Sequence, residues 1–129
     1  METVVMPEQM KQPSVFDAEC SARHALELIA SKWSVLILSA LLENPMRNGA
    51  LLRRIDGISQ KMLTQTLREL ERNGLVVRED MKTVPPHVTY RLSPMGASLS
   101  TALIALDRWA EQNFPHLDRA RELYDTQPG

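Results

Sequence analysis

The chain has 129 residues, 43% of them apolar and 5% aromatic, with 15 Lys and Arg against 16 Asp and Glu and a single Cys. That length predicts one domain with room for dimerisation arms, and a core that needs no disulfide or metal staple. The composition excludes a mainly disordered chain, and no apolar run approaches the roughly 18 residues of a membrane span. The N-terminal residues METVVMPEQMKQPS lack the basic start and apolar core of a secretory signal. One Cys cannot close an internal disulfide, which predicts a reducing, cytoplasmic setting.

A net charge of −1 speaks against a polyanion partner, but its distribution does not. Residues 47–91 carry nine basic and five acidic side chains, whereas 1–46 and 92–129 are net −3 and −2. Local charge, rather than the global sum, governs binding to a polyanion.

Residues 1–19 show no clear periodicity and are expected to form a flexible arm. From Ser21 onward, Ala25, Leu28 and Ile29 share a helical face. Lys32-Trp33 then opens a run that is apolar nearly all round, the mark of a central buried helix, and Asn44-Pro45 stops it. Residues 47–56 predict a third helix with Leu51, Leu52 and Ile55 inward. After a turn at Asp56-Gly57, Ser59 is placed to cap a helix that reaches Asn73 and stops at Gly74. Two short strands are expected over 75–79 and 88–92, joined by a polar connection that Pro85-Pro86 stiffens. Alternation predicts Leu75, Val77, Val88, Tyr90 and Leu92 facing the core, with Arg78, Thr89 and Arg91 outside. Ser93-Pro94 opens a long helix whose Met95, Leu99, Ala102, Leu103, Leu106, Trp109 and Ala110 form a one-sided stripe. Pro115 is expected to end or bend it, leaving a short helix and tail over 115–129.

This order reads as a winged helix-turn-helix over residues 20–114: mainly α with a small β-hairpin, an α+β fold. On the predicted 59–73 helix, Leu63, Leu67 and Leu70 form a buried stripe. Lys61, Thr64, Gln65, Arg68 and Arg72 lie opposite, with no acid among them. A major groove asks for this mixture, because cations meet phosphates and guanine while amides and hydroxyls meet other base edges. Ser59, Gln60 and Lys61 sit near the helix start, where backbone amides also attract phosphate. Arg78, Lys82, His87 and Arg91 would supply wing contacts along the backbone or in a minor groove.

Rival functions have less support. His24, His87 and His116 lack a Cys or carboxylate at metal-ligand spacing, and there is no phosphate loop, nucleophile elbow or dinucleotide fingerprint. An enzyme, a metal site and a cofactor are therefore not expected. A winged helix used only for protein contacts is the alternative, although it would tolerate acids on the 61/64/65/68/72 face.

The segment ISQKMLTQTLRELERNGLVVRE, residues 58–79, resembles the HxlR family of bacterial MarR-like winged-helix transcriptional regulators. Cys20 with Arg23-His24-Ala25-Leu26, Lys32-Trp33, the run VPPHVTY at 84–90, Leu92-Ser93 and Trp109 extend the likeness over roughly residues 20–110. Asn48 after Arg47, where an aromatic is usual, and His87, where Arg is common, depart from the pattern. The resemblance implies a cytoplasmic homodimer on a palindromic operator. Its first and last helices would build the interface, with Leu99, Leu103, Leu106 and Trp109 as candidates. It also implies that Cys20 occupies a position where some relatives sense oxidants. Arg23 and His24, three and four residues on, give the setting of a reactive thiol. A small-molecule effector is the other expected signal.

Overall fold

The computed structural model describes residues 12–128, so residues 1–11 of the expected arm lie outside it. Helix α1 (Ser21–Ala30) and helix α2 (Lys32–Glu43) bend by 75° at Ser31. Ser31 makes this break itself: its extended backbone ends α1, and its Oγ accepts from the Ser34 N–H at 3.3 Å to cap α2. A two-residue strand β1 (Met46–Arg47) leads into α3 (Asn48–Arg54), a turn, and α4 (Gln60–Arg72). Strands β2 (Val76–Asp80) and β3 (Val88–Leu92) follow, then α5 (Pro94–Ala97) and α6 (Ser100–Asp125).

α2 is the central helix the sequence predicts, touching α1, α3, α4, α6 and β3. Its Ile37 and Leu38 are sealed among Leu51 of α3, Leu63, Leu67 and Leu70 of α4, Val76 of β2 and Leu103 of α6. Each such side chain contributes about 1.5–3 kcal/mol of burial. Arg54 donates to both carboxylate oxygens of Glu43 at 2.8 Å, tying the end of α3 to the end of α2. That pair of hydrogen bonds holds the Glu43 carboxyl below the usual Glu range.

The sheet corrects the predicted wing in two ways. It has three antiparallel strands in the order β1-β3-β2, with β1 pairing Met46 to Tyr90 and Arg47 to Thr89. It also shifts β2 by one residue: Val76 faces Leu92 and Arg78 faces Tyr90, while Val77 and Glu79 face Arg91 and Thr89. The inward residue is therefore Val76, not Val77, and Arg78 lies on the face opposite Arg91. A slip of one residue exchanges every side chain between faces, and the tertiary pairing with Leu92 selects the observed parity.

The C-terminal region also differs from expectation. The predicted helix from Pro94 divides at Ser98-Leu99, and α6 runs unbroken through Pro115 to Asp125. The bond Pro115 cannot donate is the one to the Glu111 carbonyl. Both residues are exposed, so that carbonyl is open to solvent and the helix continues. The expected boundary at 114/115 thus falls inside α6.

Leu103 is the one residue of α6 that is buried, at 3% exposure. Leu99 packs against the core, whereas Leu106 and Trp109 stay 51% and 53% exposed. A cleft of about 660 Å³ separates α6 from α2 and the end of α3, bordered by Leu36, Ser39, Ile55, Ile104 and Arg108. Among the described residues, the Ser39 Oγ beside it is buried without a hydrogen-bond partner.

Candidate nucleic-acid interface

α3 and α4 form the helix-turn-helix, and local chemistry sets its turn. Gly57 takes φ +88°, a left-handed conformation that favours glycine, and Ile58 tucks into the core beside it. Trp33 lies over the same turn: a Cβ added at Gly57 would come within 4.0 Å of its Cη2 atom. Lys32 Nζ sits 4.2 Å from the Trp33 ring centre, a cation–π contact. Ser59 caps α4 as predicted, its Oγ accepting from the Met62 N–H at 3.1 Å. Gly74, with φ +76°, follows its end.

The two faces of α4 divide as the wheel predicts. Leu63, Leu67 and Leu70 are at most 2% exposed, joined by the buried Thr66, which the sequence reading missed. Lys61, Gln65, Arg68 and Arg72 are exposed on the opposite side. Thr64 is half-buried, and its hydroxyl accepts from Gln60 Nε2 at 3.0 Å, so these two side chains act as a pair. Arg72 lies 3.6 Å from Glu69 in an exposed pair, weak enough for a phosphate to replace. Among the described residues, Lys61 and Arg68 have no carboxylate partner within salt-bridge reach.

The wing sorts its predicted residues unequally. Met81 N–H donates to the His87 carbonyl at 3.0 Å and closes the loop. Lys82, at φ +50°, is exposed at its bend, its N–H donating to Asp80 Oδ1 at 2.9 Å. Thr83 Oγ1 donates to the Pro85 carbonyl and lies 2.8 Å from His87 Nδ1, so the imidazole is engaged by its own loop. Arg91 is bound to Glu79 on the outer face of the sheet. Arg78 is exposed and Lys82 beside the loop tip is too, and neither has an ion-pair partner among the described residues.

Cys20 sits at the N-cap of α1, half-buried, with no side-chain cap bond. Arg23 is turned to Glu27 at 3.4 Å. Among the described residues no group of three His, Cys, Asp or Glu side chains is placed to hold a metal ion.

α3, α4 with its sealed back, and the hairpin are the parts of a winged helix-turn-helix, and a family comparison agrees. The profile of the HxlR-like helix-turn-helix family matches residues 28–118. The chain belongs to that family. HxlR-like proteins are DNA-binding transcriptional regulators, not enzymes. The HTH-type transcriptional regulator YtfH of Escherichia coli K12 is 40% identical over 122 residues, covering 95% of this chain and 97% of its own. A solved structure of the transcriptional regulator ytfH from Salmonella typhimurium superposes with a TM-score of 0.78 at 40% identity, over 86% of this chain and 99% of that one. The redox regulator HypR in its oxidized form gives a TM-score of 0.69 at 34% identity, over 73% and 97% of the two chains.

Proposed function

We propose that this HxlR-like protein acts as a cytoplasmic homodimer on an inverted-repeat operator, as a repressor. Each subunit lays α4 in a major groove, with half-sites centred about 34–36 Å apart on one face of the duplex. The observation that carries the reading is the α4 face: Lys61, Gln65 and Arg68 stand in solvent while the leucines behind them are sealed. Gln65 pairs with adenine and Arg68 with guanine or a phosphate; Arg78 and Lys82 hold the backbone from the wing. Support for the dimer comes from α6, which exposes Leu106, Trp109, Phe114 and Leu117 and would bury them against a second copy.

The test is a gel shift with duplex recovered by selection from random sequence. Affinity should fall steeply with salt, and the selected duplex should outcompete random DNA throughout. Indifference to sequence at every salt concentration would leave a protein-contact module instead.

For the signal, we propose that Cys20 responds to oxidant. Two thiols, from Cys20 and either its counterpart in the dimer or a small thiol, join in a disulfide and pass two electrons and two protons to the oxidant. The likeness to a redox regulator supports this. A Cys20→Ser protein that loses DNA on oxidant treatment as the wild type does would refute it.

A further inference from the structure

The basic third of the sequence includes two arginines that neither the reading helix nor the wing accounts for. Arg47 lies on β1, the edge strand beside α3, and Arg53 lies in the last turn of α3. Both border a shallow depression of about 500 Å³ whose floor includes Asn44, Pro45, Met46 and Ala50. Side chains on a helix lean toward its N-terminus, so Arg53 reaches back over the turn before it. Gly49, four residues earlier, leaves the space: a Cβ there would stand 3.4 Å from Arg53 Nη1. The neighbouring Arg54 is committed to Glu43. Among the described residues, neither Arg47 nor Arg53 has a carboxylate within salt-bridge reach. Two open guanidinium groups thus converge on a small, partly apolar hollow.

This hollow has the chemistry of a phosphodiester site, with cations for the oxyanion and a Pro-Met-Ala floor for a sugar face. It also lies on the element that should meet the backbone. In a helix-turn-helix the first helix crosses the phosphates while the second enters the groove, and here α3 packs against both α4 and the sheet. We propose that Arg47 and Arg53 grip a backbone phosphate of the bound duplex outside the groove that α4 reads. The inference rests on the DNA-binding reading above and adds a contact that positions the head without reading sequence.

Binding of the selected duplex and of random duplex, measured across about 50 to 200 mM salt, tests it. Arg47→Ala and Arg53→Ala should each weaken both duplexes several-fold and equally. Each should lower the salt slope, the double variant by about 1.8, for one phosphate lost in each of the two half-sites, and Arg53→Lys should restore the loss at Arg53. Thermal melts by circular dichroism establish that the variants fold. Wild-type affinity and slope in the double variant, with Arg68→Ala still impaired, would overturn this site and leave the reading of α4 standing. A wild-type protein that does not distinguish the two duplexes would remove the reading itself. Loss of preference for the selected duplex in the double variant would also overturn the proposal, because the arginines would then be reading bases. So would stabilisation by inorganic phosphate, at constant ionic strength, that needs both arginines while DNA binding does not; the source would then be a free phosphate.

Discussion

Two helical glycines in this chain should respond in opposite ways to the same substitution. Gly96, in α5, is pressed against the start of β2. An added Cβ would overlap the Leu75 carbonyl oxygen and lie 3.1 Å from its carbon and 3.3 Å from Leu92 Cδ2. Backbone cannot swing aside as a side-chain tip does, so α5 would have to retreat by more than about 1.3 Å to reach an ordinary contact. The bonds at stake are the Ser93 N–H to the Leu75 carbonyl and the Gly96 N–H to Ser93 Oγ, each 3.0 Å long. Ser93 Oγ also donates to the Gly74 carbonyl, so the same movement loosens the end of α4. Two hydrogen bonds at about 1 kcal/mol each, with about 1–3 kcal/mol of overpacking, outweigh a helix-propensity gain of at most about 1 kcal/mol. Gly96→Ala should therefore cost about 2–4 kcal/mol. At Gly49 the nearest atom is the end of a flexible arginine at 3.4 Å, so Gly49→Ala should be neutral or gain up to about 1 kcal/mol. Urea unfolding followed by helical ellipticity separates the two. With a slope of about 2 kcal/mol per molar, the Gly96 midpoint should fall by roughly 1–2 M. Equal midpoints for Gly96→Ala and wild type, or equal shifts for both glycine variants, would refute the reasoning.

Other consequences can be measured directly. Leu63→Ala, at a site with no exposure on the back of α4, should cost about 3–5 kcal/mol in the same unfolding assay. Arg68→Ala should lose about 1–3 kcal/mol of binding to the selected duplex and relax preference at one base position, read by competition in gel shifts. Lys82→Ala should instead weaken all duplexes alike and lower the salt slope of the dimer by about 2, one contact from each subunit. The Glu43–Arg54 pair predicts a pH effect. Because folding lowers the Glu43 pKa, its contribution is present above the ordinary Glu range and fades as pH falls through the depressed value. Glu43→Gln should therefore be slightly less stable than wild type at neutral pH and converge with it in acid. Added salt should shrink the difference, since both side chains are about half-exposed.

Where the determinants were local, the sequence carried them. Ser59, the Leu63/Leu67/Leu70 stripe and Gly74 define α4 within a single turn of themselves, and the structure matches them closely. The parity of β2 was not legible, because Leu75, Val76 and Val77 are all apolar and offer no alternation. Only pairing with β3 decides it. β1 escaped notice for a similar reason: two residues carry no period, and the strand exists through its partner. The candidate interface residues were mixed. The phase of the exposed face of α4 was evident from spacing, but the engagement of Arg91 by Glu79 and of His87 by Thr83 arises from contacts across the hairpin. Arg47 and Arg53 counted toward a charge total, yet Gly49 four residues before Arg53 was the available sign that one guanidinium folds back along α3.

The length of α6 gives small motions a long reach. At 1.5 Å per residue, its 26 residues extend about 39 Å, yet the one side chain it buries in its own subunit, Leu103, lies near the first turn. A helix anchored at one end behaves as a lever whose fulcrum is that leucine, and the cleft beside α2 leaves room for it to pivot. In a pair of molecules joined through α6, a swing of about 10° about Leu103 would displace the far end, about 33 Å away, by about 6 Å, nearly the rise of two base-pair steps. A signal that turned α6 through such an angle would be enough to put one head out of step with its groove.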